Sequence, residues 1–293
     1  RRHPCVTPKR AFSAEEVQRF SEGHGYEVFG QGFEKIAAHT RTPRIQSDKM
    51  RFMDEVLEFD PTGGPWGRGY LKAVQSIDNK NWFFDGHFLN DPCMPGTLMF
   101  EGCVQVMAFY MAACGWTVER DGWIFEPVPF EAYPLRCRGQ VAPGAKEVTY
   151  EVLVREVHDG EIPKLYADLM CTVDGLKAFH CGRMGLQLTP AWPLESQHEL
   201  LDGYVEPKPV ATSHDGHAFG YDSLLACAWG KPTRAFGSMY APFDSHRKVA
   251  RLPGPPYHFI SRVTQVDPDA QNAMKAGCAI TVEYDVPQDA WYF

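Results

Sequence analysis

The stretch His87-Phe88-Leu89-Asn90-Asp91-Pro92-Cys93-Met94-Pro95-Gly96 runs directly into Thr97-Leu98-Met99-Phe100-Glu101-Gly102-Cys103-Val104-Gln105-Val106-Met107-Ala108-Phe109-Tyr110-Met111-Ala112-Ala113-Cys114-Gly115. From Gly96 to Gly115 the chain is apolar on nearly every side, and a helix without a polar face belongs inside a core. Two residues interrupt it. Glu101 and Gln105 stand four apart and share one helical face. Burying a carboxylate among Leu, Met and Phe is costly, so this face is a candidate site.

Working outward, Ser13-Ala14-Glu15-Glu16 reads as a capping box that opens a short helix ending near Gly23. Six β-rich runs follow: Met50 to Phe59, Gly69 to Ile77, Trp123 to Tyr133, Lys146 to Val157, Lys164 to Val173 and Lys177 to Leu188. Turn residues such as Pro143-Gly144 and Asp174-Gly175 separate them. About six antiparallel strands wrapped round one central helix, an α+β fold, satisfy that order.

The chain also repeats itself. Shifted by 207, residues 23–60 fall on 230–267 without a gap: Gly23 meets Gly230, Phe29-Gly30 meets Phe236-Gly237, His39 meets His246, Arg44 meets Arg251, Phe52 meets Phe259, Val56 meets Val263 and Asp60 meets Asp267. With two residues inserted, Trp82 meets Trp291 and Phe84 meets Phe293, which leaves the second copy short of its own site loop and helix. Between the copies, Pro193, Pro207 and Pro209 mark a polar linker. The expected organisation is a complete unit at 11–190, a linker at 191–216 and the start of a second unit at 217–293, lacking its helix. The chain opens on Arg1 and reads as a piece of something longer.

A formal charge of −8 argues against nucleic acid or an anionic membrane as the main partner. The longest apolar run, Val106 to Cys114, is too short to cross a bilayer, and the chain does not open on a basic region followed by an apolar stretch. Nine cysteines without a Cys-x-x-Cys pair, several inside apolar runs, suit a reducing cytoplasm. His180-Cys181 and the pair His214/His217 lack the further ligands a structural metal needs, so no metal is expected.

His87-Phe88-x-x-Asp91-Pro92-x-Met94-Pro95-Gly96, with a carboxylate at Glu101 and an amide at Gln105, resembles the hot-dog-fold 3-hydroxyacyl-ACP dehydratases. The likeness is nearest to the dehydratase domains of bacterial polyunsaturated fatty acid synthases, where two hot dogs lie in one chain. Asp174 to Cys181 and the leader around Phe29-Gly30 also resemble those domains. The resemblance implies a hot-dog fold and dehydration of 3-hydroxyacyl-ACP to trans-2-enoyl-ACP. No cofactor is needed, and the partner is an acyl carrier protein bearing a phosphopantetheine-linked acyl chain. It further implies that a site joins two hot dogs, a histidine from one facing a helical carboxylate from the other. The partner of His87 then comes from a second hot dog of a longer chain or from a homodimer mate.

On that reading His87 is the base for the C2 proton, because an imidazole can be neutral near pH 7. Gly96, at a helix N-terminus, offers its N–H to the enolate-like oxygen. Glu101, its pKa raised by burial, handles the C3 hydroxyl. Gln105, Phe88 and Thr97 are expected to bind substrate, with Thr97 also a candidate cap. Asp91 is expected in a turn or cap, and Cys93 and Cys103 have no evident base beside them that would make either a nucleophile. Two other functions stay open: trans-2/cis-3 enoyl isomerisation in the same site, and a hot dog that holds the fold or docks the carrier without chemistry. The His-Phe and Met-Pro-Gly combination favours the dehydratase pattern over hot-dog thioesterases.

Overall fold

The computed structural model describes residues 5–191, 210–214, 216–268 and 276–292. The chain divides into two compact units, Arg1–Asn79 with Met94–Gln197, and Lys80–Cys93 with His198–Phe293.

In the first unit, helix α1 (Ala14–Ser21) starts at the anticipated capping box. Ser13 Oγ accepts from the Glu16 N–H, and Glu16 Oε2 accepts from the Ser13 N–H at 2.9 Å. Arg44 closes the other end by donating to the Ser21 carbonyl at 3.2 Å. Helix α2 (Gly25–Phe29), strand β1 (Glu55–Asp60) and strand β2 (Tyr70–Ser76) follow. The short α3 (Phe83–Gly86) belongs to the other unit. Then come α4 (Gly96–Ala113), β3 (Trp123–Pro127), β4 (Leu135–Cys137), β5 (Glu147–His158), β6 (Lys164–Val173) and β7 (Leu176–Pro190).

The strands form one antiparallel sheet in the order β1-β2-β5-β6-β7-β3, with β4 also on β7. Helix α4 packs against β2, β5, β6 and β7. A curled antiparallel sheet around one long helix is the hot-dog fold. Phe109 anchors the helix in a ring cluster, with centroids 4.9 Å from Phe12, 5.1 Å from Phe20 and 5.4 Å from Phe29. Gly102 is small because Tyr150 of β5 crosses there; a Cβ would sit 2.5 Å from its ring. By length and composition α4 could span a membrane, but its surface is mostly buried here.

Three elements differ from the sequence reading. The strand expected over Trp123 to Tyr133 stops at Pro127, because Phe130 turns the chain with φ of 61°. The run expected from Met50 enters the sheet only at Glu55, after a single helical turn at Asp48–Met50. Strand β4, three residues long, carried no periodic signal.

In the second unit, β8 (Ser213–His214) and β9 (His217–Ala218) form a small ladder that places His214 opposite His217. Helices α5 (Tyr221–Ala228) and α6 (Pro232–Phe236) are the images of α1 and α2 under the shift of 207, and β10 (Arg262–Val266) is the image of β1. Strand β11 (Ile280–Glu283) pairs with β10 as β2 pairs with β1. Gly30 and Gly237, after α2 and α6, both have positive φ, 82° and 93°. Arg251 donates to the Gly230 carbonyl at 2.6 Å and so fastens the end of α5, as Arg44 fastens α1.

The repeat extends to the core. Phe219, Cys227 and Phe236, the counterparts of the three rings around Phe109, line a cavity of about 320 Å³ in the second unit. Trp82 and Trp291, aligned by the repeat, touch at 4.5 Å between centroids. The match of Phe84 to Phe293 and the linker positions Pro193, Pro207 and Pro209 lie outside the described residues.

Candidate active site

The histidine stretch, read as part of the unit at 11–190, groups instead with the C-terminal residues. Contacts distant in sequence decide this: Trp82 packs on Trp291 and Tyr257, and Gly254 donates its N–H to the Gly86 carbonyl at 2.6 Å.

His87 follows α3 and opens a tight loop. Its carbonyl accepts from the Cys93 N–H at 2.7 Å, while Phe88 and Asp91 exchange backbone hydrogen bonds of 3.1 Å. The His87–Phe88 peptide is cis. His87 Nδ1 lies 3.0 Å from the Cys93 carbonyl oxygen. A carbonyl can only accept, so Nδ1 carries the proton in the neutral ring and Nε2 keeps a lone pair. The side chain is partly exposed, stacked on Phe88 at 3.9 Å and edge-on to Tyr257 at 5.6 Å. A histidine with a fixed tautomer and an unprotonated Nε2 can act as a base. Cys93 does have a histidine beside it, contrary to the sequence reading: its Sγ is 3.6 Å from Nδ1. That nitrogen is the proton donor to the Cys93 carbonyl, so it cannot also deprotonate the thiol. The other thiol near the motif, Cys103, is fully buried, and burial pushes it up.

Helix α4 presents the remaining candidates. Its N-cap is Pro95, with no side-chain cap, so Thr97 sits exposed in the first turn and is not the cap. The Gly96 N–H meets no acceptor among the described residues and lies at the positive end of an 18-residue helix. A Cβ on Gly96 would approach Cys137 Sγ of β4 to 3.4 Å. One turn on, Glu101 is half-buried, and burial pushes its carboxyl above the usual carboxylate range, with a hydrogen bond from Gln105 opposing that shift. Gln105 is fully buried. Its Nε2 donates to Glu101 Oε1 at 3.0 Å and to the Met50 carbonyl at 2.7 Å, and its Oε1 accepts from the Phe52 N–H at 2.8 Å. Both N–H groups are thereby committed, so what Gln105 offers the site is the orientation of Glu101.

His87 and Phe88 thus lie in one compact unit, and Gly96, Thr97, Glu101 and Gln105 in the other. Sequence reasoning missed the Cys93 carbonyl, Tyr257 and the Met50–Phe52 backbone, each joined to its partner through the fold. Among the described residues no group of three or more His, Cys, Asp or Glu side chains could hold a metal ion.

The sequence of residues 45–181 matches the FabA-like domain family. Over 164 residues, 56% of this chain, the sequence is 30% identical to one of the polyunsaturated fatty acid synthase subunits of Thraustochytrium sp. (strain ATCC 26185 / S-3). The match spans 11% of that relative, so this chain corresponds to a small part of it. A solved structure of a hypothetical thioesterase with coenzyme A from Streptococcus pneumoniae TIGR4 is similar at 12% identity, with a TM-score of 0.31 over 47% of this chain and 88% of that one. The matched residues include His87, Gly96, Glu101 and Gln105.

Proposed function

We propose that this chain dehydrates 3-hydroxyacyl chains carried on acyl carrier protein to trans-2-enoyl chains, as part of a polyunsaturated fatty acid synthase in the cytoplasm. The observation that carries the reading is the hydrogen bond from His87 Nδ1 to the Cys93 carbonyl, which leaves Nε2 as the basic nitrogen. Nine unpaired thiols suit the reducing compartment.

The acidity of C2 comes from the neighbouring thioester. His87 Nε2 takes that proton, and the imidazolium formed keeps its Nδ1 proton on the Cys93 carbonyl. Charge then develops on the thioester oxygen, where the Gly96 N–H and the α4 dipole lower its energy. A carboxyl of the Glu101 kind in the facing hot dog, its proton affinity raised by burial as that of Glu101 is, gives its proton to the departing C3 hydroxyl, and one water leaves. Gln105 holds Glu101 in place. Phe88 and Thr97 are assigned to substrate binding.

The second unit is the start of another hot dog. Its cavity between Phe219, Cys227 and Phe236 is the bed for a helix of the α4 kind. The carboxylate that serves His87 comes from such a neighbouring hot dog, in the same longer protein or in a mate, and Glu101 serves a neighbouring histidine in turn.

Hydration of a trans-2-enoyl thioester, the reverse reaction, is the test. The assignment predicts loss of enoyl absorbance with the natural protein and none with His87→Ala. An equally active His87→Ala protein removes it.

A further inference from the structure

Three neighbours hold His87, and one of them comes from the far end of the chain. Its Nδ1 lies 3.0 Å from the Cys93 carbonyl oxygen, and Phe88 stacks on the ring at 3.9 Å with the planes 31° apart. The third is Tyr257, whose ring stands at 90° to the imidazole with centroids 5.6 Å apart. Neighbours met at different angles, one stacked and one perpendicular, restrict both the flip about Cβ–Cγ and the swing of the side chain.

Tyr257 is placed by a turn that grips α3 at both ends. The turn is Gly254-Pro255-Pro256-Tyr257, closed by the Tyr257 N–H on the Gly254 carbonyl at 2.9 Å, and its two prolines fix φ. At one end of α3 the Gly254 N–H donates to the carbonyl of Gly86, the residue before His87. At the other end Trp82, which precedes the helix, lies 6.0 Å from the Tyr257 ring. Trp291 packs on Trp82 at 4.5 Å and donates its indole N–H to the Pro256 carbonyl at 3.2 Å, so helix, turn and Trp291 close a circuit. All of these residues belong to the second compact unit.

The repeat gives this position a counterpart. Under the shift of 207, Tyr257 is the image of Met50. The Met50 carbonyl accepts from Gln105 at 2.7 Å, and Gln105 in turn orients Glu101. One position of the repeat therefore steadies a carboxyl in the first copy and an imidazole in the second.

We propose that Tyr257 is a positioning residue for His87, its ring holding the imidazole so that Nε2 meets the C2 proton. A catalytic group displaced by about 1 Å loses much of its rate, so the contact acts on the chemical step and not on substrate affinity. This rests on His87 being the base, as proposed above.

The test is steady-state hydration of an enoyl thioester, with kcat and KM read separately, by the natural protein, Tyr257→Met and Tyr257→Phe. Tyr257→Met copies the residue of the first repeat and is expected to lower kcat about tenfold, with KM changed less than about twofold. Tyr257→Phe keeps the ring and should recover most of kcat. Circular dichroism and Tm establish that each variant is folded, and Tyr257→Leu replaces Tyr257→Met if the latter is not. A second measurement needs no turnover: the imidazole nitrogen NMR signals of His87 in alkaline buffer, identified by their loss in His87→Ala. A ring fixed in one tautomer gives two widely separated signals, and a ring that exchanges between tautomers gives signals drawn together. Separation is expected in the natural protein and convergence in Tyr257→Met. Natural kcat in Tyr257→Met overturns the proposal. So does an equal loss in Tyr257→Phe, which assigns the effect to the hydroxyl, or a raised KM at unchanged kcat, which makes Tyr257 a substrate contact. A natural protein without hydration activity would remove the dehydratase reading, and the nitrogen signals then decide alone: convergence in Tyr257→Met supports the role of Tyr257, and unchanged separation overturns it.

Discussion

His87 Nδ1 stands 3.0 Å from the carbonyl oxygen of Cys93, six residues further on, and this contact fixes which ring nitrogen can accept a proton. The same two residues are joined a second time through the Cys93 N–H and the His87 carbonyl at 2.7 Å. The backbone bond holds the Cys93 carbonyl within reach of the ring, and rotating the ring gives up the hydrogen bond to it. Replacing His87 by Ala or Gln is expected to lower kcat/KM for enoyl thioester hydration about 10²–10⁴-fold, the range of a lost general base. Tm should change little, since the side chain is partly exposed. Steady-state kinetics and thermal melts on the same preparations check both.

Gly86 precedes that histidine because the Gly254 backbone passes against it. An added Cβ would collide with the Gly254 carbonyl oxygen, a main-chain atom that cannot rotate aside. Gly86→Ala is expected to shift the loop and reduce hydration more than tenfold, as misplacement of a catalytic group does. An active Gly86→Ala enzyme would show that the loop tolerates displacement.

Glu101 gives a pH dependence of known sign. Its carboxyl titrates above the ordinary range in the folded chain because burial disfavours the charged form. The folded state therefore binds the proton more tightly than the unfolded chain does. Stability attached to this group is full below the unfolded pKa and is lost as pH rises through the folded one. Glu101→Gln keeps an acceptor for Gln105 and removes the titration. The variant should melt about 1–2 °C higher than the natural protein at pH 7, with the difference vanishing in acid. Melting curves from pH 3 to pH 8 decide it.

Gln105 is a costly polar side chain to remove, because it is buried and bonded to backbone groups of the core. Gln105→Leu leaves the Phe52 N–H and the Met50 carbonyl without partners inside the core. A loss of about 2–3 kcal/mol follows, measurable by urea unfolding.

Phe109 occupies the centre of the ring cluster with Phe12, Phe20 and Phe29. Phe109→Ala should cost about 3–5 kcal/mol and lower the urea midpoint with little change in slope.

Elements built on local chemistry were legible. The box at Ser13 and Glu16 fixed where α1 starts, unbroken apolarity marked α4, and β6 runs over the residues its alternation indicated. The repeat register was legible too, because it rests on residues with few substitutes, such as Gly30 at positive φ and Arg44 at a helix end. Pairings made at a distance were not. Gln105 meets Phe52 and Met50 across 53 and 55 residues, and the choice of unit for His87 depends on Tyr257 and Trp291. Strand β4 is too short for a period, and it follows the turn at Phe130, which no glycine or asparagine announces.

Helix α4 is finished at Ala113, but the last strand that covers it, β7, ends only at Pro190. A ribosome adding about 5–20 residues per second needs several seconds to bridge that interval. Throughout it, the newborn polypeptide holds a greasy cylinder whose shelter has yet to be synthesised. Production of this protein in a foreign host should accordingly depend on chaperone supply and improve when translation and collapse are balanced by cooling.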